Sequence, residues 1–269
     1  MSNAAWWAFL GTGFTFIMTM AGSSVVFLFR GKLNENIQRA FLGFASGVMI
    51  AASVWSLLLP AIAAAEEKGI SPSWLIPAGG FILGGIFLYF IDRHIPFRGI
   101  YEETAGNFVK FQSTMLHRNK LLVLAVTTHN IPEGMAVGLS FALAAQHPLE
   151  PEFYVAAFGL ALGIGIQNFP EGAAISLPLK QEGYSNKKAF LIGTITGIVE
   201  PICGVFTTLL AVLIGPLMPL LLAFAAGTMI YVVADELIPQ AQPDEQSNAG
   251  TIGVMLGFLL MMILDVALG

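Results

Sequence analysis

The chain has 269 residues, of which 56% are hydrophobic and 11% charged, with a formal net charge of −5 and a mean hydropathy of +0.76. Soluble domains carry about 25% charged residues, so the composition excludes an ordinary water-soluble globule and makes the lipid bilayer a partner. The single Cys203 excludes an internal disulfide and a cysteine-based zinc cage, and no nucleic-acid partner is expected.

Apolar runs near or above the ~20 residues a helix needs to cross a bilayer recur along the chain. They fall near 6–29, 37–64, 74–92, 121–146, 153–179, 188–213, 217–239 and 248–268. The first is expected to be a true span, because "MSNAAWWAF" lacks the basic segment of a cleavable signal. The longest polar connection, 93–120, is too short for another folded domain, so 1–269 reads as one transmembrane domain. Eleven of the twelve lysines and arginines fall in odd-numbered loops, Lys68 being the exception. Positive loops stay cytoplasmic, which predicts eight transmembrane helices with both termini outside.

The second and seventh runs echo each other. "FASGVMI" at 44–50 and "FAAGTMI" at 224–230 each lead to a proline, Pro60 or Pro239. Segments that repeat while running in opposite directions are the mark of an inverted-topology transporter. The predicted fold is all-α, with helices 1–3 and 6–8 as inverted repeats around helices 4 and 5.

A second echo carries the chemistry. "HNIPEGMAVGL" in run four and "QNFPEGAAISL" in run five share Asn, Pro, Glu, Gly, Ala and Leu in register. His129, Asn130 and Glu133 lie on one helix face by their spacing of three and four. Gln167, Asn168 and Glu171 repeat that face on an antiparallel helix, and run six adds Glu200 ahead of Pro201. Pro132 and Pro170 each remove a backbone hydrogen bond and should bend their helices.

A buried carboxylate costs about 2.5–3.5 kcal/mol at mid-membrane on insertion scales. Runs four to six hold no lysine or arginine beyond Lys188 at the first position of run six, so the counter-charge to three of them must be bound cations or protons. Imidazole, carboxylates and amide oxygens without thiolate suit Zn²⁺, Fe²⁺ or Mn²⁺, and the histidine favours Zn²⁺ over Ca²⁺. His94, His117 and His147 fall at loops or helix ends and are expected to be solvated.

At "HNIPEG", "QNFPEG" and "VEP" the chain resembles the ZIP (Zrt/Irt-like protein) family of divalent-metal transporters, in the bacterial style of its GufA branch. The resemblance covers essentially the whole chain and implies transport of Zn²⁺, with Fe²⁺, Mn²⁺ or Cd²⁺ possible, into the cytoplasm across the inner membrane. It implies a binuclear mid-membrane site. One metal would take His129, Glu133, Gln167 and Glu171 with Met49 nearby; the other would take Asn130, Asn168 and Glu200, with Glu133 and Glu171 bridging. It also implies a homodimer and an elevator-like motion of helices 1, 4, 5 and 6. Many family members have His at the position of Gln167 and Asp at that of Asn168, and many have a histidine-rich third loop.

Four further acids fall on the predicted path. Asp265 would sit at the outer mouth, and Asp92, Asp235 and Glu236 near the inner end; acids before a buried site concentrate cations. The competing classes are an intramembrane metal-dependent enzyme and a metal-sensing receptor. The chain has no HExxH zinc motif, and its carboxylates are better used as ligands than as a water-activating base.

Overall fold

A computed structural model describes residues 2–28, 34–94, 111–181, 183–213, 215–242 and 247–268, and all regular structure among them is helical. In chain order the helices are α1 (Ser2–Ser24), α2 (Glu35–Ala52), α3 (Leu59–Glu67), α4 (Leu75–His94), α5 (Phe111–Ala144) and α6 (Pro151–Gln181). They continue with α7 (Asn186–Thr196), α8 (Val199–Leu213), α9 (Met218–Val232), α10 (Ile238–Ala241) and α11 (Ala249–Leu268). Among the described residues six stretches are long and apolar enough to cross a membrane: Asn3–Phe27, Glu35–Glu67, Pro151–Lys180, Asn186–Ala211, Met218–Ala241 and Ala249–Ala267. The expected third run appears as the shorter apolar helix Leu75–Phe90. Asp92, His94 and His117 lie outside the described residues as far as their side chains are concerned, as do the basic residues Arg30, Lys32, Arg93 and Arg98.

Two features separate the helices from uniform rods. The run expected at 188–213 is interrupted between α7 and α8. Pro201 has no N–H to donate to the carbonyl of Gly197, and the chain tightens there: the N–H of Ile198 bonds Ile195 at 3.1 Å and that of Glu200 bonds Gly197 at 3.1 Å. By contrast, α5 and α6 run on through Pro132 and Pro170.

The second feature is a pair of π-helical turns, Ser53–Leu58 joining α2 to α3 and Val233–Leu237 joining α9 to α10. In both, the residue before the proline reaches back five positions, Leu59 N–H to Val54 and Ile238 N–H to Val233. A π turn accommodates one residue more than an α turn, next to a proline that could not have donated.

Four helix pairs meet closely at glycines, backbone to backbone except at Gly165. In α2 and α11, Gly43 abuts Gly250 and Gly47 abuts Val254; in α4 and α9, Gly80 abuts Leu220 and Gly84 abuts Phe224. In α1 and α6, the ring of Phe14 lies on Gly165 and the backbone of Thr19 on Gly172; in α5 and α8, Gly134 meets Glu200 and Gly138 meets Gly204. Residue numbers rise together in every pair, so all four are parallel. Lipid supplies no hydrophobic drive between helices, and small residues let backbones approach closely enough for dispersion to hold them. Contacts of α1 with α8 and of α5 with α6 join two pairs into one group, against which α2 lies on α6 and α9 on α5.

His147 differs from its expected solvated state. Its side chain is 14% exposed, stacked on Phe153 at 4.1 Å, with Nδ1 3.3 Å from Glu150 and Nε2 3.7 Å from Glu67. The partner from α3 is remote in sequence, so the local pattern gives no sign of it.

Candidate metal centre

The polar faces of α5 and α6 meet in the interior. Asn130, Gln167 and Glu200 are 0% exposed, and Glu133 and Asn168 are 1% exposed. Glu171 is half-buried, within electrostatic range of both Glu133 and Glu200. Five of the seven polar residues picked out in the paired motifs and beside Pro201 are thus fully buried. The side chain of His129 lies outside the described residues, although its backbone is helical within α5.

Hydrogen bonds link these groups into a chain. Gln167 Nε2 donates to Glu133 Oε1 and, at 3.2 Å, to Asn168 Oδ1. Asn168 Nδ2 donates to Glu200 Oε2 at 2.9 Å and to the carbonyl of Thr15 at 3.4 Å. Asn130 Nδ2 donates to the carbonyl of Thr196 at 3.0 Å, on the last residue of α7 before the break. Each amide therefore uses its N–H₂ on a protein acceptor, which fixes which way its oxygen faces.

Three oxygens are left over. Asn130 Oδ1, Glu133 Oε2 and Gln167 Oε1 are buried and have no hydrogen-bond partner among the described residues. Buried polar atoms without partners are rare in native proteins, and these three are all acceptors. A cation is one group that satisfies several such acceptors at once. Among the described residues no three His, Cys, Asp or Glu side chains are grouped closely enough to hold a metal alone; the Gln167 and Asn168 amides bond to Glu133 and Glu200 within the same group. Met49 is 1% exposed and belongs to the apolar core cluster with Ala136, Val137 and Ile164, one turn from Glu133 and Gln167.

α1 contributes a wall that lies outside the paired motifs. Thr12, Thr15, Thr19 and Ser23 are all buried, and their spacing of three, four and four puts them on one face. Thr19 Oγ1 lies 3.3 Å from Glu200 Oε1, and Ser23 Oγ donates to the carbonyl of Gly172 at 3.3 Å. The signal for this wall is a hydroxyl at every turn of a helix otherwise suited to lipid.

The path acids fall into two places. Asp265 Oδ1 accepts from Ser56 Oγ, in the first π turn, at 2.5 Å, while Oδ2 is buried without a partner among the described residues. Asp235 and Glu236 are half-buried in the second π turn. The two π turns thus carry or contact three of the four acids.

Residues 104–265 match the family model described as ZIP Zinc transporter. Zinc transporter ZIP11 of Homo sapiens is 35% identical to this chain, over 97% of each sequence. Zinc transporter GufA of Myxococcus xanthus is 36% identical over 90% of this chain and 91% of its own length. Zinc transporter ZIPB of Bordetella bronchiseptica is 34% identical over 98% of this chain and 82% of its own length. With all regular structure helical and six membrane-length helices among the described residues, the molecule is a multi-pass membrane protein, and it belongs to the ZIP family.

Proposed function

We propose that the protein carries divalent transition-metal cations, Zn²⁺ foremost, across the membrane into the cytoplasm through a binuclear site, without chemical turnover. The observation that carries this reading is the set of three buried acceptor oxygens, on Asn130, Glu133 and Gln167, that lack a donor among the described residues. The names of the relatives, all zinc transporters, favour zinc as substrate. One position would be held by His129, Glu133, Gln167 and Glu171 with Met49 at its edge, and the other by Asn130, Asn168 and Glu200. Glu133 and Glu171 would bridge them. Uptake of radiolabelled zinc into proteoliposomes tests the reading; no uptake above empty liposomes would sink it.

The fold we infer has eight spans in one domain with inverted repeats, termini outside. Strict alternation requires that helices in parallel contact be both odd or both even, and the four close pairs obey this as spans 2 and 8, 3 and 7, 1 and 5, and 4 and 6. Exchanging spans 1–3 with 6–8, and 4 with 5, turns each pair into another of the four. The matching π turns lend the same support. The group formed by α1, α5, α6, α7 and α8 would move as an elevator against the rest, in a homodimer.

The two metal positions are expected to be unequal, because an imidazole raises Zn²⁺ affinity more than a neutral amide oxygen does. Glu200→Gln should weaken the second position while transport partly survives. Complete loss of both metals and of transport would show the second position to be essential.

Asp265 is placed in this reading at the outer mouth, with Asp92, Asp235 and Glu236 toward the inner end. Asp265→Ala should slow uptake at low zinc and recover at high zinc, while the double change Asp235→Ala, Glu236→Ala should lower the maximal rate. Unchanged apparent affinity and maximal rate in both would reduce these acids to helix-end residues.

A further inference from the structure

Glu200 is the most completely enclosed carboxylate of the centre, and both of its oxygens are held. Asn168 Nδ2 lies 2.9 Å from Oε2, and Thr19 Oγ1 lies 3.3 Å from Oε1. The Thr15 side chain also hydrogen-bonds the carboxylate, but the Asn168 and Thr19 donors differ in what they can serve. The amide has two hydrogens and two acceptors, Glu200 and the Thr15 carbonyl, so it serves both at once. The Thr19 hydroxyl has a single hydrogen and also two acceptors, Glu200 Oε1 and the carbonyl of Thr15, each at 3.3 Å. It can serve only one at a time.

That asymmetry has a chemical use. A carboxylate oxygen that turns to a cation no longer needs its donor, and a donor left without an acceptor in a lipid-embedded interior is costly. Here the hydroxyl has a backbone carbonyl one helical turn away, the ordinary i−4 acceptor of a threonine in a helix. It can release Glu200 and re-engage it with a rotation about one bond, without leaving a polar group unpaired. We propose that Thr19 is a positioning residue of the metal centre: it holds the Glu200 carboxylate in its ligating orientation when the cation is absent and yields its hydrogen bond to the Thr15 carbonyl when the cation arrives. The role rests on the reading of Glu200 as a ligand of the second metal position. It also gives α1 a part in binding beyond its packing on α6.

The test is a zinc titration by calorimetry on the purified full-length protein in lipid nanodiscs, comparing wild type, Thr19→Val, Thr19→Ser and Glu200→Gln. Valine keeps the shape that packs against Gly197 and removes only the hydroxyl, while serine keeps the hydroxyl and removes the methyl. Groups that orient metal ligands typically contribute 10–100-fold to affinity; the long 3.3 Å contact places Thr19 at the lower end. Thr19→Val should therefore weaken the second binding phase about tenfold and leave the first unchanged, and Thr19→Ser should stay within about twofold of wild type. A second phase in Thr19→Val equal to wild type overturns the proposal, as does a Thr19→Ser variant as impaired as Thr19→Val, which would mean packing. If Glu200→Gln loses the second phase while Thr19→Val keeps it, Thr19 alone is misassigned. If wild type and Glu200→Gln both bind one zinc identically, the two-position reading falls and takes this proposal with it.

Discussion

Glu171→Ala is expected to reduce zinc uptake at low substrate concentration by more than about 100-fold, the upper end of what even indirect ligand partners contribute. Glu133 has one oxygen committed to Gln167 and one without a partner among the described residues. Glu171 is the half-buried member of the carboxylate group, the one both closest to solvent and within electrostatic range of the other two. Removing it leaves the remaining oxygens without the charge that makes desolvating a divalent ion worthwhile. The corresponding glutamate of the first motif, Glu133, should be equally required. Near-normal transport by Glu171→Ala in proteoliposomes would falsify the bridging role.

Gly134→Ala should be nearly as damaging, although it removes no ligand. A methyl at Gly134 would lie 2.5 Å from the carbonyl oxygen of Glu200 and 2.7 Å from its Cα. Both obstacles are backbone, so no side chain can rotate away and α5 must part from α8. That separation would pull Asn130 and Glu133 away from Glu200 and Asn168. Overpacking of this kind costs roughly 1–3 kcal/mol, and the same displacement in a metal site is felt geometrically as well. We expect more than about tenfold loss of uptake with the protein still inserted and folded by thermal melting. Gly138→Ala, one turn along the same contact and against Gly204, is the control: it should destabilise comparably but spare more of the transport. Equal transport in Gly134→Ala and wild type would mean that the contact is more compliant than its geometry implies.

The metal centre is more legible in the sequence than its surroundings are. Carboxylates and amides inside apolar runs stand out because lipid makes them expensive, and helical spacing alone puts them on one face. Thr12, Thr15, Thr19 and Ser23 do not stand out, for the opposite reason. A hydroxyl can satisfy itself on the carbonyl three or four residues back, as Thr12 does on Ala8 at 2.6 Å, so it costs a membrane helix little and looks bland. The break before Glu200 is half visible, since Pro201 is plain but gives no reason to break α7–α8 while α5 and α6 continue through their own prolines. Helix partnership is not legible at all. Glycines mark where a close approach is possible without naming the partner, and the burial of His147 is hidden because Glu67 reaches it from another part of the chain.

The parallel pairing of α2 with α11 has a consequence for how the protein is made. Gly43 and Gly47 near one end of the sequence are closed over by Gly250 and Val254 near the other. Ribosomes add about 5–20 residues per second, so α2 waits on the order of ten seconds or more in the membrane before its partner exists. During that interval its glycine-lined face is open to lipid, to other nascent helices and to quality-control proteases. A ribosome that stalls before α11 therefore leaves a chain that already holds Asn130, Glu133, Gln167, Asn168 and Glu200 but lacks the helix that closes over the glycines of α2.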